Sequence, residues 1–310
     1  MKQLRIISLS LIFVINLFVL NAFSQNSIGL TIGSYNIRYD NDGDRKNGNG
    51  WDQRFPVITS LIDFVDYDVF GAQEVLVNQL VDLKKRLTDY DYVGVGRDDG
   101  KVAGEFAPIF FKKKKFKKLK SGVFWLSETP DRPSKGWDAA LPRICTWVQL
   151  QEINSGKKFW YFNLHMDHVG VKAREKSSRL VVKKMKEFVK GELAILTGDF
   201  NVDQNNEIYN ILQESDFIED SFELAPTKFT WNGTFNAFDN NLWTDSRIDH
   251  VFVTPRIKVK HYAVLTESYR SAKENSEEVK KGDFPKELSF KQYETRLPSD
   301  HFPLVVKIKL

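Results

Sequence analysis

Eleven runs rich in β-branched and aromatic residues pass along this chain: LTIGSYNIRY, DVFGAQEV, YVGVGR, APIFFK, GVFWLS, ICTWVQLQEI, KFWYFNLHM, LAILTGDFN, RIDHVFVT, KVKHYAVL and PLVVKIKL. Each has the length and composition of a strand. Helical spacing is scarcer. Phe55, Ile58, Leu61, Ile62 and Val65 fall on one helical face, Leu76, Leu80, Leu83 and Leu87 on a second, and Val181, Met185, Phe188 and Val189 on a third. So few helices cannot cover so many strands, and the sheets must bury one another. Two packed sheets flanked by helices are expected. No repeat and no linker rich in Pro, Gly or Ser divides the chain, so one domain over residues 26–310 is expected. From Glu267 to Pro298 the sequence is polar, mixed in charge and without period, and reads as a long surface loop.

The first 25 residues differ. Lys2 and Arg5 precede an apolar run from Ile6 to Leu20, and Ala22 and Ser24 are spaced as a signal peptidase requires. The run is short for a bilayer and carries Ser8, Ser10 and Asn16. The expectation is a secretory signal over residues 1–25, cut near Gln25, and an exported mature chain without a membrane span. Losing Lys2 and Arg5 takes the formal charge from +4 to +2, so charge alone gives no general attraction to nucleic acid or anionic membrane. Cys145 is the only cysteine. It excludes an internal disulfide, and its place in the alternating run ICTWVQL makes it a small core residue.

Two further stretches invite a ligand. In FFKKKKFKKLK, Phe111, Phe116 and Leu119 interrupt the lysines, which suits two strand ends joined by a solvated turn better than a stripe tracking phosphates. The aromatics of FTWNGTFNAFDNNLW either pack at a sheet edge or stack on a base or sugar.

The strongest polar residues fall at strand ends. Asn36 closes IGSYN, Glu74 closes VFGAQE, His165 closes WYFNLH, Asp199 and Asn201 close AILTGDFN, Asp249 opens DHVFV, and Asp300 and His301 precede FPLVV. One such residue is an ordinary turn or cap. Repeated at successive strand ends, they can converge at one mouth of two packed sheets.

The ordered set SYNIR, GAQEV, NLHMDH, LTGDFN, RIDHVFV and PSDHFP resembles the endonuclease/exonuclease/phosphatase superfamily over essentially the whole mature chain. The stretches GVFWLSETP and LHMDHVGVKAREKSS resemble secreted bacterial members. The resemblance implies a DNase I-like α/β fold, a four-layer α/β/β/α sandwich, and hydrolysis of phosphoesters with magnesium or manganese. It makes Glu74 the leading metal ligand, a hard oxygen donor of the kind magnesium prefers, with Asn36 and Asp300 completing or supporting the site. His301 would contact the scissile phosphate, with Asp249 holding its ring. Asp199 would position the attacking water and Asn201 would donate to the phosphoryl oxygens. The sequence leaves open whether Asp199 or His301 takes the proton. His165 would protonate the leaving oxygen, its pKa raised by Glu105. Arg143 adds a phosphate contact, and Asp167 and His168 are pocket candidates.

The expected activity is that of a phosphodiesterase or nuclease. The alternatives are a phosphomonoesterase, a sphingomyelinase-like phospholipase, or a non-catalytic binding protein on the same fold. The partner is a phosphoester, whether nucleic acid, phospholipid or sugar phosphate; nothing indicates a protein partner.

Overall fold

The computed structural model describes residues 27–272, 278–279, 282–283 and 285–310. The leader expected over residues 1–25 lies outside the described residues. The chain enters through β1 (Gly29–Asn36), α1 (Asp42–Lys46), α2 (Trp51–Val65), β2 (Val69–Gln73) and α3 (Val77–Arg86). It continues through β3 (Tyr90–Val93), β4 (Ile109–Lys112), β5 (Phe116–Trp125), β6 (Ile144–Glu152) and β7 (Lys158–His165). The second half runs α4 (Val171–Val189), β8 (Leu193–Asp199), α5 (Glu207–Gln213), β9 (Glu219–Asp220), α6 (Ser221–Leu224), β10 (Thr227–Phe229), β11 (Asp249–Val253) and β12 (Lys258–Val264). It closes with β13 (Tyr269–Ala272), β14 (Glu278–Val279), β15 (Phe290–Lys291), β16 (Tyr293–Arg296) and β17 (Leu304–Lys309).

Seven strands form one sheet in the order β10-β12-β17-β1-β2-β4-β3, and six form the other in the order β5-β6-β7-β8-β11-β9. Both are mixed. β1–β2 and β7–β8 are parallel pairs, each joined by helix, whereas β1–β17 and β8–β11 run antiparallel. Among the described residues no helix is long and apolar enough to cross a membrane.

Strand alternation assigns each side chain to a layer. On β7, Phe159 and Tyr161 join the core between the sheets, while Trp160, Phe162 and Leu164 meet Val181, Met185 and Val189 of α4. On β2, Val69 faces the other sheet and Phe70 and Ala72 face Ile58 and Ile62 of α2. The result is the expected order of helices, sheet, sheet, helices. Cys145 is buried among the apolar residues beneath α4.

The inter-sheet face grows more polar toward one end, two residues at a time. Leu30 and Ile32 give way to Ser34 and then Asn36 on β1; Phe159 and Tyr161 to Asn163 and His165 on β7; Ile195 to Thr197 and Asp199 on β8. The intermediate step is a polar layer. Gln73 Nε2 donates to Asn163 Oδ1 (2.6 Å) and Ser34 Oγ (3.1 Å), Thr197 Oγ1 donates to Asn163 Oδ1 (3.0 Å), and Asn163 Nδ2 donates to the Ala72 carbonyl (2.8 Å). Gly71 makes room for it, since a Cβ there would lie 2.2 Å from Asn163 Oδ1.

The lysine run behaves as two strand ends and a turn, and Lys112 and Lys115 pair with Asp68 at 3.4 and 2.9 Å. The segment from Glu267 to Pro298 differs from the expected loop. Within it β13 and β16 pair antiparallel, with Tyr269 opposite Arg296 and Ala272 opposite Tyr293. These short exposed strands carry little apolar alternation, so the ribbon left no period to read. Arg296 anchors it by donating to the Asn47 carbonyl at 2.9 Å.

Candidate active site

The polar strand ends meet. His165 stands opposite Asp199 across β7 and β8, Asp199 opposite Asp249 across β8 and β11, and Asn36 opposite Gln73, the residue before Glu74. Asn36 joins the two sheets: its Nδ2 donates to Glu74 Oε1 and to Asp199 Oδ2, both at 3.0 Å, and lies 3.4 Å from His301 Nε2. A cavity of about 510 Å³ opens over this group, lined by Glu74, Glu105, Arg143, His165, Asp199, Asn201, Asp300 and His301, with Arg38, Tyr39, Leu141, His168, Phe235 and Ile248 around them.

Glu74, Asp199 and His301 each offer a ligand atom, and these atoms lie within 4.8 Å of one another. Buried carboxylates brought this close repel unless a cation or donors compensate. The oxygen donors suit a hard divalent ion. Glu74 sits on left-handed backbone (φ 61°), as do Arg38 (φ 57°) and Asn201 (φ 50°), a conformation costing roughly 1–2 kcal/mol per residue and found where surroundings over-determine it. Here the Tyr39 amide donates to Glu74 Oε2 (3.2 Å), and the Asn201 amide donates to Asp199 Oδ1 (2.9 Å).

His301 Nδ1–H donates to Asp249 Oδ2 at 2.8 Å. Burial alone would depress its pKa, but the Asp249 and Asp199 carboxylates outweigh it and hold the ring well above the ordinary histidine range. Its Nε2 faces Asp199 Oδ2 at 3.7 Å. Burial, reinforced by Asp249, pushes the Asp199 carboxyl up to about 7.

His165 is the opposite case. Arg143 Nη1 donates to its Nδ1 at 3.1 Å, which puts the remaining proton on Nε2, 3.5 Å from Asp199 Oδ2. Burial and the neighbouring Arg143 and Arg97 hold its pKa well below the ordinary range, so it is neutral. This differs from the expectation that Glu105 raises it. Glu105 does approach His165 Nδ1 to 3.7 Å, but its carboxylate is bound to Arg97 at 2.6 Å, and two guanidinium groups outweigh one carboxylate.

Asp167 is buried beneath Arg143, accepting from its Nε at 3.3 Å and from the Ala140 and Gly170 amides at 3.0 and 2.8 Å. Although burial opposes ionisation, these donors hold its pKa at about 2. Arg143 is thereby aimed, its Nη2 donating to His168 Nδ1 at 3.0 Å. Asn201 Nδ2 donates to the Met166 carbonyl at 3.0 Å, which leaves one amide hydrogen for a ligand. Asp300 reaches the group through Arg38, whose Nη1 lies 3.2 Å from its Oδ2.

Sequence reasoning assigned no role to Arg38, although it stands in the SYNIR motif two residues after Asn36. Phe235 was also missed as a site residue; its ring packs edge-on against His301 at 5.1 Å between centroids.

The profile of the Endonuclease/Exonuclease/phosphatase family matches residues 33–301. The chain is 49% identical to a protein of that family from Bacteroides thetaiotaomicron, with a TM-score of 0.85 over 91% of this chain and 98% of that one. It is also 49% identical to a mannosyl-6-phosphatase from Bacteroides thetaiotaomicron, with a TM-score of 0.83 over 90% of this chain and 99% of that one. An uncharacterized protein of Acanthamoeba polyphaga mimivirus is 32% identical over 214 residues, 65% of this chain and 79% of that protein. With the two-sheet sandwich and the convergent strand ends, these matches establish that the chain belongs to the endonuclease/exonuclease/phosphatase family and is a phosphoester hydrolase.

Proposed function

We propose that this chain is an exported phosphatase that uses magnesium, or manganese in its place, to hydrolyse the phosphomonoester of a sugar phosphate. The likeness to the mannosyl-6-phosphatase, over nearly the whole of that protein, carries this reading. The cavity agrees with it. At about 510 Å³ it has room for one sugar and its phosphate, and Arg38 and Arg143 supply charge for a dianion. A nuclease needs a longer cationic track, and Lys112 and Lys115 are already engaged with Asp68.

Glu74 would hold the metal with Asp199 and His301 beside it, and Asn36 and Asp300 would support that set. When bound, the metal supplies positive charge for the phosphoryl oxygens. The side chains divide the remaining work. Asp199, with its carboxyl near neutrality, orients the attacking water and accepts its proton. His301, kept protonated by Asp249, donates to a phosphoryl oxygen, and the free amide hydrogen of Asn201 donates to another. His165 presents Nε2–H toward the leaving oxygen, and Arg143 fixes that tautomer.

The test is hydrolysis of mannose 6-phosphate and of bis(p-nitrophenyl) phosphate by wild type, Asp199→Asn and His301→Gln, with magnesium or EDTA. Magnesium-dependent release of phosphate from the sugar ester, lost in both variants, is expected. Turnover of the diester with none of the monoester would overturn the assignment.

A further inference from the structure

A second cavity, of about 280 Å³, adjoins the first. Its wall is mostly apolar, built from Phe235, Leu242, Trp243 and Ile248 with Asn236 and Thr244, and both Phe235 and Ile248 also line the active-site cavity. The two spaces therefore adjoin at a shared apolar edge.

Asn236 is 2% exposed, and its Oδ1 accepts from the Phe238 amide at 2.8 Å, yet its Nδ2 has no partner. A buried amide donor is rarely left unbonded without reason. Asn236 and Thr244 stand in the wall of this cavity, and a few polar groups among apolar ones are the usual makeup of a small-molecule site.

Trp243 is 70% exposed and Trp231 is 75% exposed, unusual for indoles unless something covers them. Neither is loose. Trp243 Nε1–H donates to the Trp231 carbonyl at 2.9 Å. Beneath them the chain crosses itself through Gly233 N to the Thr244 carbonyl (2.6 Å) and Thr234 N to the Ser246 carbonyl (3.1 Å). The crossing requires glycine, since a Cβ on Gly233 would lie 2.0 Å from the Ser246 oxygen. Trp243 is thus held in place before any ligand arrives, which lowers the ordering cost of binding.

We propose that this second cavity is a saccharide subsite, holding the sugar unit joined to the phosphorylated one, so that the preferred substrate is a phosphate carried on an oligosaccharide. A pyranose ring offers what the wall asks for: a C–H face for Trp243 and hydroxyls beside the polar lining residues Asn236 and Thr244. A hydrocarbon chain would offer nothing to the polar part of that wall. The inference rests on the sugar-phosphatase reading for its substrate but on separate residues for its evidence.

The experiment compares kcat/KM for mannose 6-phosphate and for an α-mannobiose bearing the same phosphate, in wild type and Trp243→Ala. Calorimetric titration with unphosphorylated α-mannobiose accompanies it. Wild type should favour the phosphorylated disaccharide by about tenfold or more, mainly through KM, as expected of binding outside the reacting centre. Trp243→Ala should remove most of that preference while leaving mannose 6-phosphate turnover within about twofold. Equal kcat/KM for the two substrates in wild type, or a preference unchanged by the substitution, would overturn the subsite. If neither sugar phosphate is hydrolysed, the phosphatase reading fails and the titration decides the subsite alone. Mannobiose binding that Trp243→Ala abolishes sustains it, and no binding refutes it.

Discussion

Replacing Arg54 by methionine should both loosen the fold and slow the chemistry. Arg54 is wholly buried on α2 and donates to four backbone carbonyls: Asn49 at 2.8 Å, Ile37 at 2.6 Å, Pro298 at 3.1 Å and Arg38 at 3.1 Å. Two of these follow Asn36 and one precedes the Ser299–Asp300–His301 stretch, so the guanidinium clamps together the exits that carry the site. Each carbonyl left without its donor costs about 1–3 kcal/mol, so four give roughly 4–12 kcal/mol. Removing a buried charge returns several kcal/mol of desolvation. The net expectation is roughly 3–5 kcal/mol, or about 10 °C in Tm at this chain length. Displacing the two strand exits by even 1 Å should lower kcat by about 10–100-fold in the molecules that remain folded. Urea unfolding and steady-state kinetics on Arg54→Met and Arg54→Lys would measure both, with lysine unable to span four acceptors and failing to restore either. A loss below about 1 kcal/mol with unchanged kcat would refute the clamp.

Magnesium should raise the Tm of wild type but not of Glu74→Gln, because only a ligand bound by the native state stabilises it; an equal response in both would remove Glu74 from the metal site. Two buried aspartates should respond oppositely to loss of charge in EDTA. The Asp199 carboxyl is raised to about 7, so it burdens the fold increasingly as pH climbs from about 4 to 7, and Asp199→Asn should melt higher than wild type at pH 8 and lose that advantage near pH 4. Burial would raise Asp220 too, but His250 and Arg247 hold it below the ordinary carboxylate range. Its contribution is complete above about pH 4 and disappears in more acid solution, so Asp220→Asn should melt lower than wild type at pH 7. Thermal scans showing the same sign for both variants would contradict these environments. Replacing Lys117, Lys118 and Lys120 together by glutamine should leave kcat/KM within about twofold, since these side chains are exposed on β5 and none lines the active-site cavity. A tenfold loss would give the lysine run a role in substrate binding.

The two-sheet architecture was legible because strand composition and period-two burial report the same fact. The convergence of the candidate residues was legible because Asn36, Glu74, His165, Asp199, Asp249 and His301 interrupt apolar runs at their ends, where a polar group needs a partner. Arg54 was invisible for the converse reason. In WDQRFPVITSLIDFV an arginine directly after Asp52 and Gln53 reads as a solvated helix face, and only the tertiary fold brings Pro298 to it. The state of His165 was misjudged because sequence pairs it with the Glu105 carboxylate but shows neither its burial nor that Arg143 and Arg97 close around it. The aromatic run from Phe229 to Trp243 was visible as unusual, yet whether its rings pack or stay exposed depends on how the chain crosses at Gly233. The β13–β16 ribbon lacked apolar alternation and so left no period.

The polar layer of Ser34, Gln73, Asn163 and Thr197 also bears on how the protein comes to be folded. Two preformed apolar sheets can slide over one another at little cost, and collapse alone would populate several slipped arrangements. In any of these, the Asn163 and Gln73 amides would be sealed away from water with no acceptor in reach, at about 1–3 kcal/mol for each unmade bond. The layer therefore discriminates among dockings in a way that apolar contacts cannot. Refolding should pass through a species with both sheets formed but not yet locked, and hydrolytic activity should return only with the final locking, later than the recovery of secondary structure.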